Sequence, residues 1–103
     1  MATTPEGAVK AKIKQLLTKY NTWYFLPVSG GFGVHGIPDF VGCYNGLCFG
    51  IEAKAKGKSA SALQLRQKTL MEAAGAKWFL VDSIESLWEV ELWLNGIGIA
   101  STT

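Results

Sequence analysis

Apolar residues recur at helical spacing from Val9 through Ile13, Leu16, Leu17 and Tyr20. Thr4-Pro5 precedes them as an N-cap and a first helical residue, so residues 5–20 are expected to form an amphipathic helix. Residues 22–28 then turn aromatic and β-prone, with Pro27 marking an edge strand or its end. Residues 29–36 are rich in glycine. Two apolar runs follow, separated by Asn45-Gly46, the strongest short-range signal for a β-hairpin. A second helix is expected from about Ser61 to Ala74, closed by Gly75, with Leu63, Leu70, Met71 and Ala74 as its buried stripe. Lys77 to Val81 reads as a buried strand. Asp82-Ser83-Ile84-Glu85 reads as a capping box opening a last helix over about 83–95, which Asn95-Gly96 should end. The order is α-β-β-β-α-β-α. The passage from the hairpin through the second helix is a right-handed βαβ crossover, which makes the last strand parallel to its neighbour. The fold class is therefore α/β, a mixed sheet flanked by helices on both faces.

The two-residue turn fixes the hairpin register. Tyr44 faces Leu47, Cys43 faces Cys48, Val41 faces Gly50 and Asp39 faces Glu52. Directly opposed residues share a face, with Cβ atoms about 4.5–5.5 Å apart. Lys54, two residues past Glu52, lies on that face too. Phe40, Tyr44, Phe49, Ile51 and Ala53 cover the other. Two carboxylates and a lysine thus converge at the open end of one hairpin. Opposed like charges destabilise a sheet; a bound cation removes that penalty, and oxygen ligands suit Mg²⁺. Solvated strand-end acids are the plainer alternative.

The net charge of +2 conceals an asymmetry: residues 1–68 hold nine Lys/Arg against three Asp/Glu, and residues 69–103 hold one against five. The carboxylate pair sits in the basic half, as a phosphate-binding protein requires. Lys56 and Lys58 form a tight basic group with Lys54; Arg66 and Lys68 follow on the second helix, where Gln64, Gln67 and Lys68 share one side. His35, the only histidine, reads either as a solvated turn residue or as a phosphate contact. Gly31, Gly33 and Gly36 match the spacing of a dinucleotide fingerprint, but a strand follows where a helix is needed. Two cysteines and one histidine lack zinc-site spacing. A Cys43–Cys48 disulfide is geometrically conceivable, and two small buried thiols are expected in a reducing compartment. No apolar run reaches the roughly 20 residues of a membrane span, and no secretory signal is visible, so a cytoplasmic protein is expected.

Gly36-Ile37-Pro38-Asp39, a twelve-residue spacer and Glu52-Ala53-Lys54 resemble the PD-(D/E)xK nuclease signature. With Ser61-Ala62-Leu63-Gln64, Ala74-Gly75 and the strand Trp78-Phe79-Leu80-Val81-Asp82-Ser83, the chain resembles the VRR-NUC family in its stand-alone form, over about Pro5 to Trp88. The resemblance implies a restriction-endonuclease-like core and a single nuclease domain over 1–103. It implies that Asp39, Glu52 and the carbonyl of Ala53 hold Mg²⁺ or Mn²⁺, and that Lys54 activates water or stabilises the transition state. It also strengthens a catalytic role for Gln64 and implies that Glu6 joins the metal site directly or through water; otherwise Glu6 simply favours its helix N-terminus. Ala53 stands where many relatives have Val.

Stand-alone members resemble homodimeric Holliday junction resolvases, so four-way or other branched DNA is the expected substrate. A bacterial virus is the implied source, and its host's cytoplasm the location. DNA contacts are expected at His35, Lys56, Lys58, Arg66 and Lys68. Alternatives are a flap- or end-processing nuclease and a non-catalytic DNA-binding module. The last helix carries Ile84, Leu87, Trp88, Val90, Leu92, Trp93 and Leu94, more than one core-facing stripe can bury, which points to a subunit interface.

Overall fold

The computed structural model describes residues 4–28 and 33–102, with side chains described as far as residue 97. Helix α1 spans Pro5–Lys19, strand β1 Trp23–Phe25, β2 Phe40–Tyr44 and β3 Leu47–Ala53. Helix α2 spans Ala62–Ala73, strand β4 Lys77–Val81 and α3 Ile84–Thr102. The sheet order is β1-β2-β3-β4, antiparallel except for the parallel β3–β4 pair. This is the α/β arrangement expected, with the element order of a restriction-endonuclease-like core.

Asn45 and Gly46 both have positive φ, 49° and 85°, as a type I′ turn demands. The register follows: Tyr44 pairs with Leu47, Cys43 with Cys48, and the ladder runs to Phe40 opposite Ile51. Asp39 therefore lies one residue beyond the ladder. Residues 22–28 supply only a three-residue edge strand before Pro27.

One sheet face is packed tightly. Ile13, Leu16 and Leu17 of α1 and Val90 and Leu94 of α3 bury against Phe40, Phe49, Ile51, Ala53, Phe79 and Val81. Thr4 caps α1 through its side-chain oxygen, which accepts from the Gly7 N–H at 3.0 Å. The other face is covered by α2 alone, and here the expected stripe fails. No α2 residue is fully buried, and Leu63 and Leu70 are each 53% exposed. Of the expected stripe only Met71 turns inward, half-buried, and its half-buried companions are Gln64, Gln67 and Lys68. A glycine decides the contact: a Cβ on Gly50 would fall 2.7 Å from Met71 and from Pro38. The helix packs beside β4 and reaches β3 through Met71 over Gly50, and its polar side meets the sheet end.

Two helix ends also differ from expectation. At α3 the reciprocal cap joins Ser83 and Ser86, not Asp82 and Glu85: Ser83 Oγ accepts from Ser86 N at 3.3 Å, and Ser86 Oγ accepts from Ser83 N at 3.1 Å. Helix α3 also runs through Gly96 to Thr102. A glycine ends a helix by adopting positive φ, as Gly75 does at 95° after α2. Held in helical conformation, a single glycine costs only about 1 kcal/mol, too little by itself to stop a helix. Among the described residues, no helix is long and apolar enough to cross a membrane.

Candidate active site

Glu52 is the penultimate residue of the central strand β3, which is buried on both faces from Phe49 to Ala53. Its side chain points to the α2 face and is 4% exposed. Asp39 sits across from it. Asp39 Oδ2 accepts a hydrogen bond from the Ala53 N–H at 2.9 Å, which holds the aspartate in place where the ladder has stopped. Lys54 Nζ lies 3.7 Å from Glu52 Oε2. Strand alternation thus delivers the three groups together.

Gln64 completes the cluster by a device not visible in the helix pattern. It is the third residue of a capping box: its Oε1 accepts from the Ser61 N–H at 2.8 Å while Ser61 Oγ accepts from the Gln64 N–H at 3.2 Å. With Oε1 committed to the cap, Nε2 is left to donate, and it donates to Glu52 Oε2 at 3.0 Å. Gly36 makes room for this helix start. Its φ is +84°, and a Cβ there would collide with the Leu63 carbonyl.

Lys10 was not expected at the site. Its Nζ lies 3.8 Å from Asp39 Oδ1 and 3.5 Å from Glu6 Oε2. The signal was present: Lys10 follows Glu6 by four, so a helix face that brings one to the sheet end brings the other. Glu6 itself is bonded to Lys10, and its charge reaches Glu52.

The electrostatics are those of crowded carboxylates. Burial pushes the Glu52 carboxyl up to about 7; the Asp39 charge and its hydrogen bond add to this, Glu6 adds less, and Lys54 opposes it. Two facing carboxyl groups with their oxygens gathered at a strand end suit a hard divalent cation. Mg²⁺ in particular takes one or two carboxylates and keeps several waters. Among the described residues, no group of three or more His, Cys, Asp or Glu side chains is placed to hold a metal. Further ligands would therefore come from backbone oxygen, water or substrate.

The remaining predicted contacts separate into two groups. Lys56 and Lys58 are exposed on the loop after β3, and Asp82 Oδ2 anchors that loop by accepting from the Gly57 N–H at 3.1 Å. The same bond is the main reason the Asp82 carboxyl is held below its ordinary range. Arg66 is exposed on α2, and His35 is exposed beside Pro27, Val28 and Gly36 at a shallow pocket. Lys68 is not brought to the carboxylates: its ammonium lies 5.2 Å from the centre of the Trp78 ring, and that cation–π contact, further along the α2 face of the sheet, positions it. Residues 29–32 of the glycine-rich segment lie outside the described residues. Cys43 and Cys48 carry free thiols facing each other, but Cys48 is exposed, because α2 covers only the far end of this face. No protein-family model matches the chain, and no curated protein matches it.

Proposed function

We propose that the protein is a Mg²⁺-dependent structure-specific endodeoxyribonuclease of VRR-NUC type, acting on branched DNA as a homodimer. The observation that carries this reading is the buried Glu52 carboxylate, set against Asp39, ion-paired with Lys54 and hydrogen-bonded by Gln64. Structural strand-end acids would be solvated; Glu52 is not.

Asp39, Glu52 and the backbone carbonyl of Ala53 would hold the cation, with Glu6 at the rim. A bound Mg²⁺, or Mn²⁺ in its place, lowers the pKa of a coordinated water and withdraws charge from the scissile phosphate. The protein's own groups divide the rest. Gln64 fixes the orientation of Glu52 through its Nε2. Lys54 would supply a positive charge beside the reacting phosphate and donate a hydrogen bond to its non-bridging oxygen or to the attacking water. Lys10 offsets the charge of Asp39. Lys56, Lys58 and Arg66 offer exposed cations for flanking phosphates.

The homodimer is supported by α3. Ile84, Trp88 and Leu92 are 46%, 59% and 71% exposed and recur every four residues, so they form one apolar stripe outside the core. Large exposed apolar surface on a folded domain marks an interaction site, and Trp is enriched at interface centres. A twofold dimer presents two sites, which suits paired incisions.

The deciding experiment compares cleavage of labelled four-way junction, flap, duplex and single strand with and without Mg²⁺, for the native chain and Glu52→Gln. Paired junction cuts that need both Mg²⁺ and Glu52 support the reading. Mg²⁺-dependent cutting of flaps or ends alone supports the end-processing alternative. Binding without cutting supports a non-catalytic module. Sedimentation at micromolar concentration, with Trp88→Glu as the disrupted form, tests the dimer.

A further inference from the structure

Cys43 and Cys48 take no part in the cluster above. They sit on the same sheet face, four residues along β2 from Asp39, roughly 13 Å away at the rise of an extended strand. We propose that Cys43 and Cys48 are a cross-strand dithiol that is reversibly oxidised to an intramolecular disulfide by low-molecular-weight disulfides. The inference is independent of the nuclease reading.

Three features carry it. The two Sγ atoms are 3.1 Å apart, inside the contact distance of unbonded sulfurs. The register sets them directly opposite, and the Asn45-Gly46 turn closes on the Tyr44–Leu47 pair, so the next pair out is the close-spaced type without its own backbone hydrogen bonds. Cα atoms in such pairs lie about 4.5 Å apart, within the span a disulfide bridges. No backbone movement is needed, and the I′ turn denies the hairpin a slip that would part the sulfurs. Finally, the pair is reachable: Cys48 is exposed and Cys43 half-buried, beside Trp23, the exposed register partner of Cys43.

The positions order the chemistry. Cys48 is exposed and Cys43 half-buried, so Cys48 meets the small disulfide first; the Cys43 thiol is pushed up by its hydrogen bond to Cys48 and by burial. The Cys48 thiolate attacks one sulfur of a small disulfide. A Cys48–S bond forms, the small disulfide's S–S bond breaks, and one small thiol leaves. Cys43, giving up its proton to solvent, then attacks Cys48 Sγ and expels the second small thiol. The protein loses two protons and two electrons; the small disulfide gains both electrons and becomes two thiols. The reverse exchange restores the dithiol.

The test equilibrates the whole chain with stepped ratios of oxidised to reduced glutathione, traps free thiols by alkylation and weighs the intact protein. The expected product is one species lighter by two hydrogens, with no alkylated cysteine and no accumulated adduct. Cys43→Ser should instead accumulate a glutathione adduct on Cys48. Running the native chain folded and in urea guards against a variant that does not fold. The folded register removes the search for closure, so the folded chain should form the bond at least about tenfold more favourably than the unfolded one. Glutathione adducts on the folded native chain, two alkylatable thiols throughout, or equal closure folded and unfolded would each overturn the proposal.

Discussion

Glu52→Gln should stabilise the metal-free protein at high pH and leave it little changed at low pH. Glu52 has an ordinary value of 4.5 and is raised to about 7 in the fold. The folded state therefore holds this proton more tightly than the unfolded chain. Below pH 4.5 both states are protonated and no penalty exists. As pH rises from 4.5 through 7, the unfolded chain ionises first and stability falls. Above about 7 both are ionised and the full penalty stands, about 3 kcal/mol at about 1.4 kcal/mol per pH unit. Glutamine keeps the shape and still accepts from Gln64, while removing the charge beside Asp39. It also gives up the Lys54 ion pair, so the pH dependence is the sharper measurement. Urea denaturation in chelator, from pH 4.5 to 8, should show the native chain losing about 3 kcal/mol relative to Glu52→Gln, roughly 2 M in midpoint for a small domain. Mg²⁺ at pH 8 should close the gap by stabilising the native chain alone. A difference between the two proteins that is the same at both pH extremes, or a Glu52→Gln chain less stable at pH 8, would refute this account of the carboxylate pair.

Three further outcomes follow from the same geometry. Lys54→Met should lower single-turnover cleavage by about 10²–10³ while DNA affinity in Ca²⁺ holds; lost affinity with normal turnover of the saturated complex would make Lys54 a binding residue. Gly36→Ala, placing a Cβ against the Leu63 carbonyl at positive φ, should cost more than about 2 kcal/mol in a thermal or urea melt; a neutral result would mean that α2 can start elsewhere without loss. Neutralising Lys56, Lys58 or Arg66 singly should each flatten the log–log salt dependence of DNA binding by about one unit, and unchanged slopes would put the phosphate track on another surface.

Local rules made much of this protein legible in its sequence. Asn45-Gly46 permits essentially one turn, the turn permits one register, and strand alternation then brings Glu52 and Lys54 onto one face with Asp39 at the open end. Thr4-Pro5 and Gly75 fixed helix ends by backbone geometry that needs no tertiary partner. Tertiary structure decided which side of α2 meets the sheet. Its leucines read as core with Met71, yet the narrow patch over Gly50 and the close approach of Gly36 to the Leu63 carbonyl turn Gln64 inward beside Met71 and leave Leu63 and Leu70 in solvent. The same packing drew Lys68 to Trp78, while the docking of α1 brought Lys10 to Asp39. Whether Gly96 would end α3 was likewise beyond local sequence, since glycine stops a helix only when it adopts positive φ. The Ser61–Gln64 cap is local, but its consequence is not: only the placement of α2 beside β3 turns a helix-capping glutamine into the group that holds Glu52.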